Sequence, residues 1–180
     1  VNTIADGTAV KTPGKNIFPY IQKNLDDIIT VPDEELVVAF LDIVENHKMV
    51  VENSGLLTVA ALKHLNVQNQ RVVSILSGGN MDIITMSSVV QQGLIFRDRI
   101  FTVSVLLPDK PGMLSKVADV IAKENGNVIK LEHNQFVSIN RSAAVELRIT
   151  LETFGTEHKN QIIKALEEKG YQPKQVRTNI

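Results

Sequence analysis

The chain of 180 residues contains no cysteine, which excludes disulfides, thiolate nucleophiles and thiolate metal sites and fits a reducing, cytoplasmic location. Nor is there an excess of charge of either sign. Nineteen basic residues against twenty acidic ones leave a formal net charge of −1, which gives no electrostatic case for nucleic acid or an anionic membrane surface. No apolar run approaches the length of a bilayer span, and the first residues lack the basic-then-apolar layout of a signal peptide. The four histidines, His47, His64, His133 and His158, are scattered without ligand spacing and read as surface residues, so no metal centre is expected. Ser54-Gly55 and Ser77-Gly78 lack the surrounding pattern of a nucleophile elbow, which argues against a serine hydrolase.

What the chain does have is 43% hydrophobic and 22% charged residues, enough for a packed core in one domain or two small ones. The most informative stretch is Ser77-Gly78-Gly79-Asn80 after the apolar run Arg71-Val72-Val73-Ser74-Ile75-Leu76. The run reads as a buried strand, the glycines allow a sharp turn and close approach of a ligand, and Asn80 reads as the cap of a helix that follows. A hydroxyl at the carboxyl end of a buried strand, beside a helix N-terminus, is where open α/β sheets place their ligands. An ordinary strand-turn-helix junction accounts for the same residues.

Residues 1–93 alternate between helix and strand signals, which predicts an α/β layer structure with parallel strands. Phe18 to Lys23 predicts a short helix and Asp27 to Val31 a short strand. Pro32-Asp33-Glu34-Glu35 opens an amphipathic helix carrying Leu36, Phe40 and Ile43 on one side. Leu56 to Leu62 predicts another, with Asn53 or Ser54 as its cap, and Gly93 reads as the stop of a helix running to Gln92. Residues 94–180 have a different rhythm. Strands at Ile100–Leu107, Asn127–His133, Ala143–Leu151 and Tyr171–Val176 enclose helices after Gly112 and from Glu157 to Lys169. The order β-α-β-β-α-β is the ferredoxin-like α+β arrangement.

Four phrases also occur in a telling order: Thr3-Ile4-Ala5-Asp6-Gly7, Asp26-Asp27-Ile28-Ile29-Thr30-Val31, Val51-Glu52-Asn53-Ser54-Gly55 and Leu76-Ser77-Gly78-Gly79-Asn80. In order and spacing they resemble the second half of the catalytic domain of threonine ammonia-lyase (threonine dehydratase), a pyridoxal-phosphate family of fold type II with the tryptophan-synthase β-like fold. The resemblance implies that Ser77, Gly78, Gly79, Glu52 and Gly7 face the cofactor, with the Ser77 hydroxyl at its pyridine nitrogen. A neutral hydroxyl there leaves the ring a weaker electron sink than a carboxylate would, which suits β-elimination more than transamination. Glu52 also has a plainer reading as a capping or salt-bridged carboxylate, and Asp6 as a turn residue.

Residues 94–180, with Asp109-Lys110-Pro111-Gly112 after the first strand, resemble an ACT regulatory domain. That resemblance implies an amino-acid effector, isoleucine or valine, at Asp109, Gly112, Met113 and Asn127, and pairing into a homodimer or homotetramer. A plain Pro-Gly turn and a strand-end asparagine fit the same residues, since many such domains only mediate pairing. The family's Schiff-base lysine phrase and its triple-glycine phosphate loop have no counterpart here. The expectation is therefore a carboxyl-terminal piece of a larger enzyme, opening in mid-phrase at Val1 and holding no catalytic residue of its own. Such a piece neither binds pyridoxal phosphate tightly nor turns over threonine alone. A free-standing amino-acid sensor or assembly protein is the rival reading, and L-serine dehydratase or serine racemase are rivals within the enzyme class.

Overall fold

Extended backbone in Ile100–Leu107 and Val145–Glu152 sends successive side chains to opposite faces of a sheet, and alternate positions of the two segments carry matching apolar sets. In the computed structural model, which describes residues 2–135 and 145–179, they are β1 and β3, paired antiparallel from Ile100↔Glu152 to Leu107↔Val145. β2 (Asn127–Asn134) lies on the far side of β3 and β4 (Lys174–Val176) on the far side of β1, giving the order β2-β3-β1-β4. Helices α5 (Met113–Lys123) and α6 (Thr156–Glu168) complete β-α-β-β-α-β. Val117, Ile121, Ile162 and Leu166 from these helices share one buried cluster with Phe101, Val103, Val105, Leu147, Ile149 and Leu151. Each such side chain contributes about 1.5–3 kcal/mol on full burial. The expected start of the third strand, Ala143-Ala144, lies outside the described residues.

The opposite face of this sheet is polar. Thr102 and Thr150 share a hydrogen bond of 2.9 Å between their hydroxyls, and Ser104 Oγ donates to Glu146 Oε1 at 2.7 Å. Arg148 Nε lies 3.0 Å from Glu146 Oε2. The Ser104 hydroxyl, with Arg148 and Asn134, outweighs the effect of burial and holds the Glu146 carboxyl below the usual glutamate range. At the entry to β1, Asp98 takes a left-handed backbone angle (φ 53°) and accepts from Lys159 Nζ and Thr156 Oγ1, both at 2.8 Å. Burial pushes the Asp98 carboxyl up, but these two partners hold it below its ordinary value. His158 is not the surface residue its scattered position suggests. It is buried, its Nδ1 accepts the Phe154 N–H at 3.1 Å, and its Nε2 faces the Glu124 carbonyl at 2.5 Å.

The chain divides into two units, residues 1–93 and 94–180. The first holds α1 (Phe18–Asn24), α2 (Asp33–Asp42), α3 (Leu57–Ala60) and the start of α4 (Ile83–Phe96). Leu36, Phe40 and Ile43 of the α2 region pack with Val51, Leu56, Ala60 and Val89. The Asp33 carboxylate ties the N-terminal segment to α2, accepting from Thr3 Oγ1 at 2.5 Å and Ile4 N at 3.0 Å.

Several expectations need correction here. Asp27–Val31 and Arg71–Leu76 form no strand, and the described part of this unit contains no sheet. Without a neighbouring ladder, Arg71–Leu76 is not buried: Val73 is 87% and Ile75 70% exposed. The cap of α4 is Asp82 rather than Asn80, its carboxylate accepting from the N–H groups of Ile84 at 2.9 Å and Thr85 at 3.0 Å. Similarly, Asn53 and Ser54 give α3 no side-chain cap. Gly93 does not stop α4, which runs on to Phe96. A Cβ at Gly93 would sit 2.6 Å from Leu41 Cδ1 and 3.4 Å from Val37 Cγ1, so the glycine lets α4 pack closely on α2.

The Glu146 network has a pH signature. A carboxyl lowered in the folded state adds stability that is fully present above the ordinary glutamate value of 4.5 and is lost as pH falls through the lowered folded-state value. Ser104→Ala removes the strongest of the lowering partners. Thermal melts from pH 7 to pH ~3 are expected to show a lower Tm than wild type at neutral pH and a shallower fall on the acid side.

Candidate functional site

Three short segments, far apart in sequence, meet in the first unit. Residues 5–8 form a tight turn, residues 50–55 lead into α3, and residues 74–79 run beside them. Thr58 Oγ1 donates to the Ile75 carbonyl at 2.9 Å, and Glu52 N–H donates to the Gly78 carbonyl at 3.3 Å. The segments come close enough to select glycine, most strictly at Gly55. A Cβ at Gly55 would overlap the Ser77 carbonyl oxygen. At Gly78, where φ is +79°, it would overlap the Glu52 carboxylate. At Gly7 it would stand 2.9 Å from Ser54 Oγ. Gly79 is different, since its Cβ would meet only the Val50 carbonyl at an ordinary 3.6 Å.

The site residues anticipated from sequence thus converge: Gly7, Glu52, Ser77, Gly78 and Gly79 occupy one small region. Ser77 is exposed at its edge and Glu52 is half-buried. Sequence reasoning gave no structural role to Gly55, or to Ser54 beyond capping, yet both are central. Their signal was available in the Val51-Glu52-Asn53-Ser54-Gly55 phrase, which carried the resemblance but was assigned no role beyond Glu52 and a helix start. Ser54 Oγ and Asn53 Oδ1 are buried with no hydrogen-bond partner among the described residues. Beside them lies a cavity of about 470 Å³ lined by Ile4, Asp6, Glu52, Asn53, Met81 and Asp82, among others.

These residues fit part of a pyridoxal phosphate and not all of it. A hydroxyl at an exposed tip, an adjacent carboxylate, an orphaned hydroxyl and a cradle closed to any Cβ suit the edge of a polar ring. A phosphate needs a nest of N–H donors or a cation, and this cluster offers oxygens instead.

In the second unit, a cavity of about 340 Å³ lies under the loop between β1 and α5. Pro108, Asp109, Lys110, Gly112, Met113 and His133 are among its walls. Gly112 takes φ +83° at the start of α5, so the backbone angle selects glycine, while a Cβ there would meet nothing within 4 Å. Asp109, Gly112 and Met113 are therefore brought together. Asn127 stands at the other end of β2, with its amide donating to Glu152 Oε2 at 3.0 Å. His133 was missed as a lining residue; its place opposite Leu147, on the helix-covered face, is what puts it there. Among the described residues no group of three potential metal ligands occurs, and no helix is long and apolar enough to cross a membrane.

Comparison with known families agrees with this geometry. Residues 1–78 match the family described as pyridoxal-phosphate dependent enzyme, and residues 101–170 match the ACT domain. The chain thus joins a segment of a pyridoxal-phosphate-dependent fold to an ACT domain. Over nearly its whole length it is similar to threonine ammonia-lyases. It is 37% identical to L-threonine ammonia-lyase of Geobacter sulfurreducens over 94% of this chain and 42% of that protein. It is 32% identical to the biosynthetic L-threonine dehydratase of Pasteurella multocida over 95% of this chain and 33% of that protein. A shorter match, 44% identical over 49% of the chain and 28% of the relative, is to L-threo-3-hydroxyaspartate ammonia-lyase of a Pseudomonas species. The chain spans less than half the length of these relatives.

Two substitutions separate the tight approach from the orphaned group. Gly55→Ala forces the Ser77 carbonyl aside and is expected to cost ~3 kcal/mol in urea unfolding of this unit. Ser54→Ala removes a buried hydroxyl without a partner and is expected to be neutral or to stabilise by up to ~1 kcal/mol.

Proposed function

We propose that the chain is the carboxyl-terminal part of a pyridoxal-phosphate-dependent threonine ammonia-lyase, which converts L-threonine to 2-oxobutanoate and ammonia and works in the cytoplasm. The observation that carries this reading is the meeting of Gly7, Glu52, Gly55, Ser77 and Gly78 at one point from three segments, in a chain that also carries an ACT domain. In the complete enzyme the cofactor supplies the electron sink for elimination of the substrate's β-hydroxyl. The part played by this chain is positional. Ser77 offers a neutral hydroxyl to the pyridine nitrogen, Gly78 and Gly79 let backbone lie against the ring, and Glu52 and Gly7 close the pocket wall. The Gly55 contact fixes where the Ser77 backbone lies.

The relative that acts on 3-hydroxyaspartate suggests a second substrate, but the electrostatics favour threonine. Neither lysine nor arginine stands among the residues that this chain gives to the site, so a β-carboxylate would meet Glu52 and gain no counter-ion from this part of the pocket. Serine differs from threonine by one methyl group, worth only about 1–3 kcal/mol of discrimination.

The ACT domain is read as the regulatory part. An aliphatic amino acid, isoleucine or valine, suits a cavity walled by Pro108, Met113, Leu114, Val145 and Leu147, with its carboxylate at the N-terminus of α5. Asn127 lies far from this cavity within one chain and reaches an effector only if a second copy supplies it. The exposed β2 edge, with Val128, Ile129 and Leu131 on it, is the surface that suits such pairing.

Two measurements test the reading. Calorimetric titration of the 180-residue protein with isoleucine, valine and threonine is expected to show saturable binding of a branched-chain amino acid, weakened by Met113→Asp. Silence for all three would leave the ACT domain as an assembly module. Mixing the same protein with pyridoxal phosphate is expected to give no absorbance band beyond that of the free cofactor. A stable protein-bound band would overturn the view that the lysine anchor must come from elsewhere. The pairing surface is tested by sedimentation: Ile129→Lys places a charge on the β2 edge and is expected to shift the protein towards monomer.

A further inference from the structure

Asn125-Gly126 is the one Asn-Gly pair in the chain, and it stands at the C-terminal end of α5. The helix ends there because Asn125 takes a left-handed backbone angle (φ 61°), which asparagine tolerates better than most residues with a side chain. Two bonds close the end. Asn125 N–H donates to the Ala122 carbonyl at 3.0 Å, and Gly126 N–H donates to the Ile121 carbonyl at 2.9 Å. A third bond comes from α6. His158 Nδ1 accepts from the Phe154 N–H, so its Nε2 carries the proton and donates to the Glu124 carbonyl at 2.5 Å. Gly126 is also wedged against the core: a Cβ there would sit 2.7 Å from Ile121 Cγ2 and 2.9 Å from Ile162 Cδ1, on two buried side chains. Asn125 itself is exposed.

We propose that Asn125 is a site of spontaneous deamidation that the cap of α5 holds shut. In an Asn-Gly pair no side chain shields the following main-chain nitrogen, which leaves it free to approach the asparagine amide. The Gly126 nitrogen bonds to Asn125 Cγ, the Cγ–Nδ2 bond breaks, and ammonia leaves with the proton that the Gly126 nitrogen gives up. Water then opens the five-membered imide, with nothing oxidised or reduced. Cleavage between Cγ and the nitrogen yields aspartate. Cleavage at the former main-chain carbonyl yields isoaspartate, whose main chain runs through the side chain and is longer by one carbon. In the closed cap the Gly126 N–H is held by the Ile121 carbonyl, so the attack requires this end of α5 to open. The isoaspartyl chain does not close again, because the added carbon has no room where Gly126 meets Ile121 and Ile162. Either product also sets a carboxylate at the negative end of the helix, next to Glu124. β2 begins at Asn127, directly beyond, so the change loosens the head of an edge strand.

The test is ageing of the 180-residue protein in mildly alkaline buffer, sampled by peptide mass mapping, with and without denaturing urea. In urea Asn125 is expected to convert ahead of the other asparagines. In the folded protein its conversion is expected to be at least about tenfold slower, since only the opened cap reacts. His158→Ala removes the bond to the Glu124 carbonyl and is expected to raise the folded-state rate. The wild-type protein gives the same reading without a substitution: in sub-denaturing urea, conversion of Asn125 and hydrogen exchange at the Gly126 amide are expected to rise together. Asn125→Gly puts the residue favoured at this position in the cap and is expected to abolish conversion here without lowering Tm. Aged protein, separated by its added negative charge, is expected to lose exchange protection at the Gly126 amide. Equal rates in folded and unfolded protein, no conversion of Asn125 in urea, or a folded-state rate that stays constant while exchange at Gly126 accelerates would each overturn the proposal.

Discussion

The Ser77 carbonyl lies against Gly55 at a distance that admits no side chain at all, and the first unit is organised around that approach. Because the two backbones nearly touch, residues 50–55 and 74–79 act as one structural piece. The same contact places Glu52 against Gly78 and carries Ser54 to within reach of Gly7. A steric limit of this kind is stronger than any single hydrogen bond in the region, since overlap of atoms cannot be relaxed by rotating a side chain. It also explains why glycine stands at the point of contact: only backbone without a side chain comes this close.

The two units express their sequence in opposite ways. In the ACT domain every strand finds its ladder partner within the same stretch of chain, so alternation read from Ile100–Leu107 or Val145–Glu152 translates directly into a face buried under α5 and α6. Period alone was enough there. In the first unit Arg71–Leu76 has the composition of a buried strand but no described neighbour to pair with, and Val72, Val73 and Ile75 are exposed while Leu76 packs on the core. Composition reports what a segment is suited to, whereas burial depends on what lies beside it. Helix ends were misread for a related reason. Gly93 carries the local signal of a stop, but a packing demand from Leu41 and Val37 accounts for it, and Asp82 outcompeted Asn80 as a cap by standing next to the first helical turn.

The site followed the same division. Gly7, Glu52, Ser77, Gly78 and Gly79 were named by resemblance and lie together, as do Asp109, Gly112 and Met113 on the second unit, whereas Asn127 lies apart. No periodicity marks which residues will meet across seventy positions, so Gly55 and the buried oxygens of Asn53 and Ser54 emerge only in three dimensions. His158 shows that a scattered histidine need not be solvent-facing, whereas His133 is exposed at a cavity mouth. His133 lines the cavity beneath the β1–α5 loop, and His158 bridges the Phe154 amide and the Glu124 carbonyl.

The unpaired apolar run at residues 71–76 has a practical consequence. A segment presenting Val73 and Ile75 outwards, with amides that satisfy no ladder, is a template for any other extended chain of suitable register. Self-association through this segment is the expected hazard when the protein is concentrated.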